Sequence, residues 1–407
     1  MAEQSFDVVV IGAGPAGLAA ARRAHEAGAR VAMLDDNPAP GGQIWRAGKE
    51  PAPWLAGFAV LCGSRVIAAP VPGRLTVETL DASFEIGYRA LVLATGARER
   101  FLPFPGWTLP NVMGAGGLQA LAKSGLPVAG KRIVVAGSGP LLLAVARYLR
   151  GHGANVAAIA EQAHPAAIRR FAASLAAYPS KLTQAIALRA RLLGIPYLTS
   201  CWPVTAQGKD KLEAVTLRRG AKTWTERCDY LACGFGLIPN TELAEMLTCR
   251  VEAGAAVVDE YQRATAPSIF AAGEVTGIGG LDLALVEGQI AGYTAAGRNT
   301  EAARLFPLRR RHRKFAIALE QAFALRPELR QLPAAGTLVC RCEDVSWERI
   351  RACSGWREAK LHTRCGMGPC QGRVCGGAVE FLTGWRSESI RPPLFPARVD
   401  SLAQSGE

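Results

Sequence analysis

Residues 6–11, Phe-Asp-Val-Val-Val-Ile, are apolar almost without interruption. That is the pattern of a strand buried on both faces of a parallel sheet. An alanine-rich stretch follows to about Ala27, and a second apolar run over 30–34 ends in the acids Asp35 and Asp36. Strand, helix and strand in that order predict a βαβ unit. The pattern then returns, with an apolar run over 131–136, a helix to about His152, and a strand over 155–160 closed by Glu161. Two further buried strands are predicted. One spans 90–95 and ends in Thr95 and Gly96; the other spans 265–272 and ends in Gly273 and Glu274. A helix start is expected at Glu287, Gly288 and Gln289.

Both strand-to-helix turns are rich in glycine. Gly12, Gly14 and Gly17, with Pro15 and Ala16 between them, form G-x-G-x-x-G. Gly12 permits the tight turn, Gly14 lets the backbone approach a pyrophosphate, and Gly17 lets helix and strand pack closely. The helix N-terminus adds N–H groups and its positive dipole end. Asp35 is placed to accept from the ribose hydroxyls of an adenosine, with Asp36 as the fallback. The repeat begins 125 residues later, Gly12 to Gly137, and keeps Gly139 but has Leu142 at the third glycine position. A leucine there is expected to push helix and strand apart or to force a different phosphate geometry. Glu161 would favour NADH over NADPH. The second fold therefore reads either as a site for NADH or an adenine nucleotide, or as a Rossmann-like domain that no longer binds one.

These patterns predict an α/β protein with two Rossmann-like dinucleotide-binding domains, one inserted in the other, followed by a small helical C-terminal domain. The expected boundaries are 1–110 with 255–300 for the first, FAD-type domain and 111–254 for the second, NAD(P)-type domain. A basic helical connector over 301–335, a cysteine module over 336–385 and a tail over 386–407 complete the chain. The tail is proline-rich and is expected to lie extended on a surface.

At 407 residues and 43.1 kDa, with 49% hydrophobic and 20% charged residues, the chain can hold two or three domains. A net charge of +13 admits nucleic acid, an anionic surface or an acidic protein as partner. No interleaving of basic and aromatic residues points to nucleic acid, so none is expected. The run Arg309, Arg310, Arg311, His312, Arg313, Lys314 reads as a solvated or partner-docking helix face. The N-terminus has no basic and apolar leader pattern, and no apolar stretch reaches the ~18 residues of a membrane span. A cytoplasmic protein with reduced thiols is expected. Cys62, Cys201, Cys228, Cys233 and Cys249 read as buried small hydrophobes.

The remaining cysteines carry a different signal. Cys340 and Cys342 form C-x-C; Cys365, Cys370 and Cys375 follow as C-x4-C-x4-C, with Cys353 between the halves. Thiolates so spaced converge on soft metal, and the intervening glycines let the backbone donate to cluster sulfurs. Zinc is the alternative, since four thiolates also suit a tetrahedral site. A Rieske-type site would need two histidine ligands, so His362 reads as a surface residue.

Gly12, Gly14 and Gly17, with Gly41, Gly42 and Gln43, then Thr95 and Gly96, then Gly273 and Glu274, resemble the two-dinucleotide-domain flavoproteins that include thioredoxin reductase. The resemblance implies that the first glycine turn holds the ADP half of FAD. It also implies that Gly41, Gly42 and Gln43 lie beside pyrophosphate and flavin, and that Glu274 reaches the ribityl and pyrophosphate region in place of the more usual Asp. The redox dithiol of that family is missing, because residues 1–335 contain no C-x-x-C. The C-terminal pattern resembles the bacterioferritin-associated-ferredoxin-like 2Fe–2S domain. With the stretch from Phe104 to Met113, the chain resembles the α subunits of opine oxidases, D-hydroxyproline dehydrogenase and the flavoprotein subunit of hydrogen cyanide synthase.

That family implies an oxidoreductase acting on CH–NH or CH–NH2 donors. The implied partners are a β flavoprotein subunit of the amino-acid oxidase type, which oxidises the C–N bond, and a small ferredoxin-like γ subunit. On this reading the chain relays electrons to an acceptor through FAD and a 2Fe–2S cluster, has no catalytic acid or base of its own, and can reach a membrane only through its partners. The implied cluster ligands are Cys340, Cys342, Cys370 and Cys375, with Cys365 in reserve as a ligand or as a neighbour that tunes the potential. A freestanding NADH-dependent reductase feeding its own cluster or a ferredoxin is the competing expectation, and a docking or iron-handling module is a third.

Overall fold

The computed structural model describes residues 4–46, 51–55, 57–387 and 390–403. The ends of the expected first domain and tail, 1–3 and 404–407, lie outside the described residues. The chain forms two compact units: one of residues 1–98, 238–317 and 388–407, the other of residues 99–237 and 318–387.

Among the described residues of unit 1 a seven-stranded sheet runs in the order Ala59–Cys62, Val31–Asp35, Gln4–Ile11, Ser83–Leu93, Arg74–Glu78, Arg65–Ala68, with Ile269–Ala271 also pairing with Ser83–Leu93. The central strands are parallel, Val8 to Ile11 lying beside both Val31 to Leu34 and Ala90 to Leu93. Period-two alternation sends their side chains to opposite cores. Val9, Ile11, Ala32, Leu34, Leu91 and Leu93 enter one apolar cluster. Val8, Val10, Val31, Met33, Val92 and Ala94 enter the other. Burial on both faces is why the run has no polar alternation. The second cluster is covered by the helix Pro15–Glu26, and the helix Leu281–Ala295 packs on it at backbone contact: a Cβ on Gly288 would lie 2.1 Å from Ala16 O. Glu287 and Gly288 therefore lie inside this helix rather than at its start. The tail segment joins unit 1 with Leu394 buried and its N–H on Ile67 O at 2.9 Å, and then forms the short helix Val399–Ala403.

Unit 2 repeats the plan with a five-stranded parallel sheet in the order Tyr197–Thr199, Asn155–Glu161, Arg132–Ser138, Tyr230–Phe235, Val112–Gly114. Val134 and Ala136 face one cluster, Ile133 and Val135 the other. Three antiparallel strands, Cys201–Gln207, Ala214–Arg219 and Lys222–Arg227, follow the parallel sheet. The cysteine-bearing segment belongs to this unit as a two-stranded ladder, Leu338–Cys340 with Val345–Ser346, and the helices Trp347–Arg351, Trp356–Thr363 and Cys375–Thr383. Val339, Val345, Ile350 and Val379 form its core with the buried cysteines, flanked by Trp347, Trp356 and Trp385. Trp107 Nε1 donates to Leu338 O at 2.6 Å. No helix of the described residues is long and apolar enough to cross a membrane.

Candidate functional site

The first glycine turn of unit 1 is built by close approach. A Cβ on Gly12 would lie 2.2 Å from Ala94 O, and Gly12 has φ +105°; a Cβ on Gly17 would lie 1.8 Å from Gly12 O. Both positions are therefore closed to any side chain. Gly14 differs, because a Cβ there would meet only Gly42 Cα, at 4.0 Å. Its lack of a side chain leaves room for a ligand at the N-terminus of the helix Pro15–Glu26, with Pro15 pre-set for the first turn and Ala16 behind it. Gly41 N–H donates to Ala13 O at 2.8 Å, which lays the turn bearing Gly42 and the exposed Gln43 beside this cradle. Asp35 closes the cradle by accepting from Ala13 N–H at 2.5 Å and from Asn37 N–H and Nδ2 at 2.7 Å each. Asp36 turns away to a bidentate pair with Arg65, at 2.9 and 3.0 Å. Thr95 Oγ1 donates to Asn240 O at 2.7 Å, and Asn240 N–H returns to Gly96 O at 3.0 Å, which fixes the end of the strand Ser83–Leu93.

The other edge holds a charge cluster that the sequence did not disclose. Glu287 is 0% exposed and takes Gly273 N–H at 3.2 Å, Thr276 Oγ1 at 2.9 Å, Arg309 Nε at 3.4 Å and Arg313 Nη1 at 3.2 Å. Arg309 also donates to Gln262 Oε1 at 3.2 Å. The basic run is thus not wholly a solvated face, since the helix Phe306–Phe323 turns Arg309 into the protein. A buried carboxylate needs paired cations and hydrogen bonds, and these supply them. Through Gly273 the cluster holds the turn carrying Glu274, whose carboxyl is raised above its usual range by burial.

In unit 2 the glycine turn accommodates Leu142 in the apolar core. Gly137 makes the same close approach as Gly12, its Cβ position lying 1.9 Å from Gly234 O. Gly234 stands where unit 1 has Ala94; a methyl there would press on Ala115 Cβ at 3.2 Å, while the fully buried Leu142 lies 3.9 Å away in ordinary contact and packs in the cluster of Ile133 and Val135. The leucine therefore packs without displacing helix from strand. The cost is a tighter first turn, with Leu142 N–H on Gly139 O and Leu143 N–H on Pro140 O, both at 3.1 Å.

Five cysteines converge in the C-terminal segment. The sulfurs of Cys340, Cys365 and Cys375, all buried, lie within 4.8 Å of one another. Cys342 and Cys370 sulfurs are 3.6 Å apart, and those of Cys365 and Cys375 are 3.9 Å apart. Close packing is required here: a Cβ on Gly368 would lie 2.3 Å from Cys342 Cβ. Hydrogen bonds from Cys365 and then Cys375 hold the Cys340 thiol far below its usual pKa, whereas the same contact pushes Cys365 up to about 12. Cys353 stands apart and donates to Arg349 O at 3.5 Å, and His362 is exposed. Of the five cysteines expected to be inert, Cys201, Cys228, Cys233 and Cys249 are buried and Cys62 half-buried. Burial pushes Cys201 and Cys228 up to about 12, so both stay protonated.

Two dinucleotide-type folds, one with an open glycine cradle closed by an acid, define the class as a nucleotide-binding flavoprotein oxidoreductase. The pattern of the pyridine nucleotide-disulphide oxidoreductases matches residues 6–299, and the chain belongs to that family. It is 32% identical to the opine oxidase A-subunit of Rhizobium meliloti (strain 1021), over 98% of both chains. It is also 31% identical to the HcnB subunit of hydrogen cyanide synthase from Pseudomonas aeruginosa, over 95% of this chain and 96% of the relative. Among solved structures, L-proline dehydrogenase from P. horikoshii is similar in fold, with TM-score 0.69, 21% identity, and 98% of this chain and 80% of that one covered. Thioredoxin reductase of T. acidophilum gives TM-score 0.59 at 22% identity, over 73% of this chain and all of that one.

Proposed function

We propose that this chain is the FAD- and 2Fe–2S-binding subunit of a heteromeric dehydrogenase of amines or imino acids, and that it relays electrons from a β flavoprotein subunit to an acceptor. The observation that carries this reading is the sorting of the cysteines. Cys342 and Cys370, 3.6 Å apart, suit one iron; of the buried triad Cys340, Cys365 and Cys375, the family resemblance takes Cys340 and Cys375 for the other. Cys365 is left as a fifth thiol against Cys375. Two thiolate pairs fit a two-iron cluster. The similarity over nearly the whole length to proteins named as subunits of opine oxidase and hydrogen cyanide synthase supports the heteromeric setting.

FAD supplies the two-electron chemistry and the cluster the one-electron steps. The chain's own residues bind and orient. Gly14 and Gly42 leave the approach for a pyrophosphate, Asp35 offers its carboxylate to ribose hydroxyls, and Thr95, Gly96, Gly273 and Glu274 border the remainder. Burial raises the Glu274 carboxyl above its usual range, and its oxygens can accept from a cofactor hydroxyl. The units correspond in this reading to an FAD domain and a second Rossmann-like domain that carries the cluster module.

The test is metal and sulfide analysis of the anaerobically purified chain, with electron paramagnetic resonance after dithionite reduction. Two irons and two sulfides per chain, lost in Cys370→Ser and kept in Cys365→Ser, are expected. One zinc per chain, or cluster loss in Cys365→Ser alone, would sink the ligand assignment.

A further inference from the structure

A Rossmann cradle has three parts: the glycine turn, the start of the helix after it, and the end of the second strand. In unit 2 the glycine turn and the end of the second strand are both engaged by the chain itself. Ser138 Oγ, on the glycine turn, donates to Phe323 O at 2.7 Å. Gln162, next to the acid that ends the second strand, donates to the same carbonyl at 3.3 Å and to Ala324 O at 3.1 Å. Its own Oε1 accepts Arg326 N–H at 3.1 Å. Both lips of the cradle thus hold one peptide carbonyl.

The Phe323 side chain lies 3.9 Å from the position a Cβ would take on Gly139, the glycine whose bareness normally admits a pyrophosphate. Phe171 meets the Phe323 ring edge-on, with centroids 5.7 Å apart. Glu161, at the end of the second strand, is 0% exposed, and its two oxygens accept Gly139 N–H and Ala163 N–H at 2.8 Å each, the same pattern that Asp35 makes in unit 1. Gln162 is 0% exposed as well. Arg326 extends the contact to Ser200 Oγ at 3.2 Å and stacks over Trp202 at 5.2 Å. The corresponding glycine of unit 1, Gly14, meets no side chain.

We propose that the nucleotide cradle of unit 2 is the anchoring site for residues 323–326 of the same chain, and that while anchored it admits no nicotinamide dinucleotide. The occupant stands across the cradle: the Phe323 carbonyl takes Ser138 Oγ and Gln162 Nε2, and the Phe323 side chain lies against Gly139 where a pyrophosphate would approach. The anchored segment leads through the short helix Pro327–Gln331 to the strand of Cys340, so the fold serves as a mount for the cysteine segment. This holds whether the metal bound there is iron or zinc.

The test uses the full-length chain with its flavin. Binding of NADH and of ADP-ribose is followed by calorimetry, and opening of the segment by the rate of trypsin cleavage at Arg330, since the bond after Arg326 precedes Pro327 and resists trypsin. The unaltered chain is expected to give no saturable heat with either nucleotide. Gln162→Leu is expected to speed cleavage roughly tenfold, since limited proteolysis follows the population of the opened segment. Phe323→Ala is expected to gain saturable ADP-ribose binding. Should Phe323→Ala fail to fold, Ser138→Ala in the Gln162→Leu background reads the same anchor through the cleavage rate. Saturable NADH binding by the unaltered chain, competed by ADP-ribose, would overturn the proposal; so would cleavage rates unchanged in the variants.

Discussion

Replacing Arg309 by methionine keeps the apolar stem and removes the guanidinium from Glu287. The carboxylate is fully buried and then retains Arg313 as its cation, a side chain 42% exposed and therefore screened. Breaking a buried ion pair by removing one partner costs about 3–5 kcal/mol. Arg313 and the donors Gly273 and Thr276 keep part of that, so a loss of about 2–3 kcal/mol is expected. At roughly 2–4 °C per kcal/mol for a unit of this size, the flavin-bound melting point falls by roughly 5–10 °C. Arg309→Lys should recover less than half, because one ammonium cannot serve Glu287 and Gln262 as the fork does. Glu287→Met in the Arg309→Met background should restore stability, because no buried charge is then left bare. The assay is flavin fluorescence during thermal unfolding, which also reports release of the cofactor held by the neighbouring turn. If Arg309→Met shifts the midpoint by less than about 1 °C and leaves flavin retention unchanged, the cluster is not what holds Gly273.

Three further outcomes are expected. Gly17→Val should abolish flavin retention, because even a Cβ would overlap Gly12 O at 1.8 Å; apoprotein and holoprotein yields after purification measure it. Leu142→Ala should destabilise by about 3 kcal/mol, since the side chain is fully buried and Gly234 supplies nothing to fill the gap; urea unfolding followed by tryptophan fluorescence checks the figure, and a change below about 1 kcal/mol would mean the turn collapses around it. Burial raises Glu161 to about 7, so its folded pKa lies above the unfolded one, and the folded state holds the extra proton. Stability from this group is full below about pH 4.5 and is lost as pH rises through about 7, by up to about 3 kcal/mol. Unfolding free energies of the unaltered chain and Glu161→Gln across that window should differ in slope, and parallel curves would refute the assignment.

What could be read from the sequence was local in the chain. The sandwiched strands declare themselves because Val8, Val9 and Val10 are all apolar, and one strand can then supply two cores. The glycine turns, the acid at Asp35 and the convergence of the cysteines follow from spacing alone. What stayed hidden depends on partners distant in sequence. A run of arginines on a helix looks solvated until the burial of Glu287 in another helix is known. Leu142 looks like a defect until it is seen fully buried in the cluster of Ile133, Val135 and Val145. The choice among five thiols is likewise a matter of which sulfurs the ladder Leu338–Cys340 and the helix Cys375–Thr383 bring together, and spacing does not decide that.

The same strand–turn–helix pattern reaches opposite ends in the two units, and the size of the cysteine segment explains why. Its apolar core is small, Val339, Val345, Ile350 and Val379 with three tryptophans at the rim. A module of roughly fifty residues rarely stands on such a core without a metal or an external support. Thiolates that must receive a metal need positions held to a few tenths of an ångström before the metal arrives. Residues 323–326 on the unit 2 turn, Trp107 on Leu338 O, and Arg330 stacked on Phe381 supply that support from a rigid sheet. A nucleotide entering the unit 2 cradle would have to dislodge the first of these. On the proposed anchoring, keeping Gly139 with Phe323 against it preserves the turn's shape and exchanges a soluble ligand for a fixed one. In unit 1, among the described residues, no side chain stands against Gly14.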